Sequence, residues 1–538
     1  MANGGLVGAG FAVGACAVLM ALAVVPCGVR AQSADGAAVA ELSTVPERTN
    51  YVETSRYADV VSFLERVAAA SPLIRIDTMG YTHEGRALPL AVVGRGALGD
   101  AAAVRSSGKV VVYIQGNIHA GEVEGKEAAL LLLRSIAAGR HEAWLDSLVL
   151  LVAPIYNADG NERVALTNRP LQHGPIGGMG QRANGQGYDI NRDYVKLDTP
   201  EAAATARLLT DYQPHIAIDL HTTNGTRHGY HLTYSPPLHP NSDSAIVRLL
   251  RTGWLPSITR SIDAATGWDF YYYGDIYGEG ERRGWYTFDH RPRFGTNYWG
   301  LRNRIALLSE AFSYASFPER IEATSRFLEG VLDLAARDAA TVRRLVAEAD
   351  AERLVGDSLA LRAEFERSAA PVTVLLGEMR EEKHPWTGAT MLLRTGVQRP
   401  ERVYEYGTFR PTLRERVPAA YYVPAESQAA LTKLEQHGVQ TIRLARDTTL
   451  ALERFVIDST EVAEREFQRH RERTIEGRWV SEQATLGAGA YVRVPLDQPL
   501  ARLIFLMLEP RSDDGFGTWN VFDRELEKAT TFPVLRSH

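Results

Sequence analysis

The pattern that most restricts the fold is a succession of apolar runs with two different periods. Residues 57–70 (YADVVSFLERVAAA) place apolar side chains at helical spacing, and residues 86–93 alternate as a strand does. Residues 110–114 (VVVYI) and 148–154 (LVLLVAP) are short, uninterrupted apolar runs rich in β-branched residues, and between them residues 127–136 are strongly helical. Two buried strands separated by a helix do not close as a hairpin, so they pair in parallel through a crossover. Two further runs of the same kind, 215–220 (HIAIDL) and 305–308 (IALL), are separated by long stretches rich in Gly, Pro and Tyr. Connections of that length in a compact domain usually build a cleft.

From residue 319 to about 367 the chain is rich in Ala, Arg, Glu and Leu and reads as helix. This divides the chain into a first domain over 45–340, a helical linker over 341–370 and a mixed α/β accessory domain over 371–538. In the last, strand-like runs at 372–376, 420–423 and 503–508 surround one helix at 426–437, and Trp386, Trp479 and Trp519 read as core. No motif in this region converts to chemistry.

Residues 6–25 are uncharged and apolar, and Val29-Arg30-Ala31 ends the run with small residues around one Arg. This resembles a signal peptide over 1–31, cleaved near Ala31-Gln32, and implies an exported chain, periplasmic or extracellular, with no stable membrane association after cleavage. An uncleaved anchor is the alternative, because about twenty apolar residues also span a bilayer. Both cysteines, Cys16 and Cys27, lie in this segment. The mature chain therefore has no disulfide, no thiol nucleophile and no thiolate ligand, and any metal is held by His, Asp and Glu. The formal charge of −6 and the absence of a basic tract exclude nucleic acid as an expected partner. Oligomeric state is not set by the sequence.

Chemistry stands at the carboxyl end of the apolar runs. After VVVYI comes Gln115-Gly116-Asn117-Ile118-His119-Ala120-Gly121-Glu122, after HIAIDL comes His221, and after IALL come Ser309 and Glu310. In open α/β sheets ligands bind beyond the carboxyl ends of the strands, so three runs deliver two His and two Glu to one crevice. His119 and Glu122 form H-x-x-E, which on a turn entering a helix places an imidazole and a carboxylate on one side of a metal ion. The bland alternatives are a helix-entry charge at Glu122 or Glu124, a loop histidine at His119, and a Glu310 paired with Arg304. His221, about a hundred residues on, completes a two-His, one-Glu set with a coordination position left open.

Six motifs in order resemble the zinc carboxypeptidase family, the metallocarboxypeptidases related to carboxypeptidase A: His119-Ala120-Gly121-Glu122, Pro154-Ile155-Tyr156-Asn157-Ala158-Asp159-Gly160, Gln181-Arg182-Ala183-Asn184, Tyr188-Asp189-Ile190-Asn191-Arg192-Asp193, Asp219-Leu220-His221 and Leu308-Ser309-Glu310. The resemblance covers about residues 57–337. It implies an α/β fold with a mixed, mostly parallel, eight-stranded sheet and helices on both faces, and one Zn2+ per chain. It implies that His119, Glu122 and His221 ligate the zinc, and that Asp189 orients His119. It further implies that Arg182 polarises the scissile carbonyl, that Asn191 and Arg192 hold the substrate's terminal carboxylate, and that Glu310 is the general base. The implied substrates are peptide or protein C-termini.

The sequence departs from the best-known relatives in three places. Ala120-Gly121 stands where the pancreatic enzymes have Ser-Arg, so a basic contact is expected to be missing. The capping tyrosine is either Tyr286 or Tyr298, and the base of the side-chain pocket is unassigned, leaving basic and apolar specificity both open. Two other functions fit less well: a zinc deacylase of the same superfamily, and a catalytically inactive peptide-binding module.

Overall fold

The computed structural model describes Met1, Gly8, Val39 and residues 41–96 and 99–538. The proposed leader therefore lies, apart from Met1 and Gly8, outside the described residues. Among those residues no helix is long and apolar enough to cross a membrane.

Seven strands come first: β1 (Ile74–Tyr81), β2 (Ala87–Val93), β3 (Val110–Gly116), β4 (Leu148–Ala153), β5 (Ile216–Thr222), β6 (Leu232–Ser235) and β7 (Phe270–Tyr272). A short hairpin, β8 (Asp275–Tyr277) and β9 (Gly284–Tyr286), precedes β10 (Ile305–Ala311). The main sheet has eight strands in the order β1-β2-β4-β3-β5-β10-β6-β7. Its centre, β4-β3-β5-β10, is parallel, whereas β1/β2, β2/β4 and β6/β10 are antiparallel. The parallel centre is where the sequence shows uninterrupted apolar runs, because those strands are covered on both faces.

Side-chain alternation sets the two faces. Tyr113 and Asp219 share one face, and Ile218 and Leu220 the other. The helix Glu124–Ala137 lies on the Leu220 face so closely that a Cβ at Gly125 would stand 2.6 Å from the Leu220 Cβ. The helix Gly295–Leu301 covers the opposite face, with Trp299 edge-on to Tyr113 at 5.9 Å. The register pairs Gln115 with Asp219 and Glu310 with His221, so the polar ends of three central strands stand side by side.

The rest of the chain is largely sheet: β11 (Ser358–Glu366), β12 (Val372–Lys383), β13 (Thr390–Tyr406), β14 (Thr408–Arg416), β15 (Ala420–Pro424), β16 (Ile442–Arg443), β17 (Thr448–Val462), β18 (Arg473–Leu486), β19 (Tyr491–Pro495) and β20 (Thr531–Ser537). Six of these form a sheet in the order β16-β19-β15-β20-β17-β18, and the end of β13 adds in parallel to β9. One apolar core runs from the main sheet through Phe455, Phe516 and Trp519 of the C-terminal region.

Three expectations are corrected. The helical stretch ends at Ala351, and β11 follows where helix was expected, because pairing with β14 outweighs the helix preference of its Ala, Leu, Arg and Glu residues. Residues 503–508 belong to the helix Ala501–Leu508, buried all round; a short apolar run without periodicity does not distinguish the two states. Trp386 is 59% exposed and not core, whereas Trp519 is fully buried.

Candidate metal centre and catalytic cleft

At the end of β3, Asn117 takes a left-handed conformation (φ 64°) and turns the chain off the sheet. Residues 119–122 then close a turn in which the Glu122 amide donates to the His119 carbonyl at 2.9 Å, just before the helix Glu124–Ala137 begins. The turn sets His119 and Glu122 side by side, and His221 reaches them from β5. One ligand atom from each of His119, Glu122 and His221 lies within 4.8 Å of the others.

The two imidazoles are oriented alike. His119 turns Nδ1 to Glu122 Oε1 (3.1 Å) and Nε2 to Asp189 Oδ1 (3.1 Å). His221 turns Nδ1 to Glu122 Oε2 (2.9 Å) and Nε2 to Asp219 Oδ2 (2.9 Å). A carboxylate behind each ring keeps the Nε2 proton and leaves Nδ1 as the lone-pair donor facing the centre. Asp189 thus lies behind the His119 ring. Asp219 behind His221 has a sequence signal too, D-x-H, because two residues apart on a strand means one face.

Burial would raise the Glu122 carboxyl, but the charges of His119 and Arg169 outweigh it and hold it well below the usual carboxylate range. For His221, burial works toward neutrality, and Asp219 and Glu122 reverse this and raise it. Two imidazole nitrogens and one carboxylate, all buried and converging, are a donor set that suits zinc with a position to spare.

Arg169, which no motif includes, stands against this turn. Its Nη1 donates to Glu122 Oε1 at 2.9 Å and to Asn224 Oδ1 at 2.8 Å, and its Nη2 donates to the Thr223 carbonyl at 2.6 Å. A Cβ at Gly121 would lie 2.9 Å from Arg169 Cδ, so the glycine makes room for this arginine. A cation from a distant loop occupies space that a side chain inside the H-x-x-E turn would take.

A cavity of about 170 Å³ opens onto His119, Glu122 and His221. Arg182, Asn191, Arg192 and Glu310 line it, as do Tyr273, Phe288, Phe294 and Leu308. Arg182 donates from Nε to Asp189 Oδ2 at 2.9 Å, with Nη1 3.8 Å from Glu122 Oε1. Asn191 Oδ1 accepts from the Gly295 amide at 3.2 Å, and the Arg192 guanidinium lies 3.8 Å over the Phe294 ring. Asp193, by contrast, turns away to Lys196 at 3.3 Å. Burial, reinforced by the nearby Glu122 charge, pushes the Glu310 carboxyl up to about 8 against the opposing pull of His221. Arg304 is not its partner, being paired with Asp350 at 2.8 Å.

Neither suggested tyrosine reaches the cavity. Tyr298 is fully buried with its hydroxyl 2.7 Å from His437 Nδ1, and Tyr286 stacks on Tyr406 at 4.0 Å. Tyr273 lines the cavity instead, from the connection between β7 and β8.

A His–Glu–His donor set at the carboxyl edge of a mixed α/β sheet, faced by a half-buried glutamate, is the arrangement expected of a metallohydrolase centre. Residues 60–230 match the family described as zinc carboxypeptidase. Over that segment the chain is similar to this family of metallocarboxypeptidases. Carboxypeptidase 2 of Trichophyton rubrum is 23% identical over 498 residues, covering 88% of this chain and 85% of its own. Carboxypeptidase D of Mus musculus is 32% identical over 152 residues, 24% of this chain and 11% of its own. Among solved structures, a metallo-carboxypeptidase from Burkholderia cenocepacia overlaps 54% of this chain and 70% of its own at 16% identity, with a TM-score of 0.40.

Proposed function

We propose that this chain is an exported metallocarboxypeptidase that removes the C-terminal residue of peptides or proteins with one zinc ion, using residues 45–340 as catalytic unit. The observation that carries the reading is the convergence of Arg182, Asn191, Arg192 and Glu310 on the cavity that holds His119, Glu122 and His221. His119, Glu122 and His221 would hold the zinc, which when bound would supply Lewis acidity to the scissile carbonyl and to water. Glu310 accepts a proton from the attacking water on its carboxylate and passes it to the departing amine. Arg182, tied to Asp189, donates to the carbonyl oxygen as negative charge develops there. Arg192, pinned by its own stacking on Phe294, and Asn191, pinned by Gly295, receive the terminal carboxylate; a planar guanidinium fits that anion in two places.

Phe288, Phe294, Leu308 and Tyr273 give the cavity apolar walls, and its carboxylates among the described residues are Glu122 and Glu310 alone. Both are committed to the chemistry, so the side chain of the released residue is apolar rather than basic.

The test uses one peptide in three forms: free C-terminal Leu, the same Leu amidated, and C-terminal Arg. Free Leu is released, the amide is nearly inert because buried donors would be left unpaired, and Arg is released more slowly. Arg192→Ala removes most of the difference between acid and amide. Equal cleavage of acid and amide, or cuts confined to internal bonds, would overturn the carboxypeptidase reading, and faster release of Arg would overturn the assignment of the pocket.

A further inference from the structure

The hairpin β17–β18 pairs from Thr448/Leu486 to Val462/Arg473, with one register shift between Ile457 and Ser459, and then projects its connection, residues 463–472, onto the loop that carries Asp189. Phe467 and His470 exchange backbone hydrogen bonds (2.7 and 3.0 Å) across a two-residue turn. The two turn residues, Gln468 and Arg469, are both left-handed, with φ of 51° and 61°. Turns of this form favour Asn and Gly, so long side chains here suggest a use for them.

Their partners lie on the loop that carries Asp189, Asn191 and Arg192. Gln468 Oε1 accepts the backbone N–H of Asp189 at 2.9 Å, across 279 positions of sequence. Arg469 donates to the Gln186 carbonyl and lies 4.6 Å over the Tyr188 ring. His470 Nε2 meets Asp198 Oδ2 at 2.7 Å.

The Asp189 carboxylate links two groups of the site. Oδ1 faces His119 Nε2 and also accepts the Asn191 amide at 3.0 Å, while Oδ2 accepts from Arg182 Nε. A rotation of the Asp189 backbone would shift both contacts together.

We propose that Gln468 is a positioning residue of the metal centre: by holding the Asp189 amide it sets the carboxylate that orients His119 and Arg182, so the C-terminal region completes the active site. The proposal rests on the carboxypeptidase reading only for its catalytic consequence; its effect on the metal stands apart from it.

The deciding variant is Gln468→Gly in the full-length chain. Glycine adopts a φ of 51° without strain, so the turn is kept or improved while the acceptor is lost. Carboxylates that orient a metal-bound histidine are worth about 10- to 100-fold in affinity, and loosening one without removing it should weaken zinc about 3- to 10-fold in competition with a chelator. The melting temperature of the metal-free protein should not fall, and kcat on a free-acid peptide should fall more than KM rises. Gln468→Glu keeps an acceptor at the same atom and should hold zinc as the parent does. Unchanged zinc affinity in Gln468→Gly overturns the proposal, as does equal weakening in Gln468→Gly and Gln468→Glu. If the parent binds zinc but cleaves no peptide, the peptidase reading fails while the zinc titration still decides the role of Gln468.

Discussion

Asp219→Asn tests the orientation of the metal-binding histidines with almost no change in volume. Asp219 Oδ2 receives the His221 Nε2 proton at 2.9 Å, and Oδ1 accepts from Gln115 Nε2 at 3.1 Å. Gln115 turns over only if two hydroxyls reverse their roles together, because its Oε1 accepts from the Tyr113 hydroxyl at 2.8 Å and its Nε2 also donates to the Tyr194 hydroxyl at 3.0 Å. In the variant the amide oxygen therefore stays toward Gln115 and the NH2 faces His221. His221 must then accept at Nε2 and carry its proton on Nδ1, the atom that faces Glu122 and the metal. The opposite amide orientation sets two donors against each other at Gln115. With Gln115 unturned, each arrangement loses a buried hydrogen bond to a charged group, about 1.5–3 kcal/mol, or strands a buried donor at about 1–3 kcal/mol. At 1.4 kcal/mol per decade this corresponds to about 10- to 100-fold weaker zinc binding. A zinc titration against a chelator of known affinity measures it directly. Zinc binding within about twofold of the parent would refute the tautomer argument.

Other substitutions separate the remaining roles. Glu310→Gln should keep stoichiometric zinc by elemental analysis yet lose turnover by about 10²-fold or more, and a variant keeping a tenth of its activity would place the base elsewhere. Gly121→Ala forces a Cβ to 2.8 Å from the Gly180 carbonyl oxygen and 2.9 Å from Arg169 Cδ. It should cost about 1–3 kcal/mol in denaturant unfolding and loosen the zinc as well, and an unperturbed melting curve would contradict it. At the domain contact, burial would raise the Asp198 carboxyl, but His470 and Lys433 overcome this and lower it from 3.8 to about 2. A lowered carboxyl stabilises fully above its unfolded value and progressively less as pH falls toward 2. Asp198→Asn should accordingly cost about 2 kcal/mol at pH 5 and little near pH 2, whereas an equal cost at both pH values would exclude the ionic origin.

The reach of the sequence follows from how each feature is encoded. The central strands were legible because double-sided burial writes uninterrupted apolar runs, and the convergence of His119, Glu122 and His221 was legible because they follow the ends of such runs. His119 and Glu122 sit in one turn, and Asp189, Asn191 and Arg192 in one loop, so their relation is local and a short motif preserves it. Where an apolar run was short, as at 503–508, burial alone did not distinguish strand from helix, and at 358–366 pairing with β14 overrode residue preference. Tertiary structure alone decided which distant side chains meet: Arg169 filling the space left by Gly121, Tyr273 reaching the cavity in place of Tyr286 and Tyr298, and Gln468 closing on Asp189. Such contacts depend on the mutual placement of segments tens to hundreds of residues apart. Their energy lies in geometry between elements, and neither composition nor period carries a trace of it.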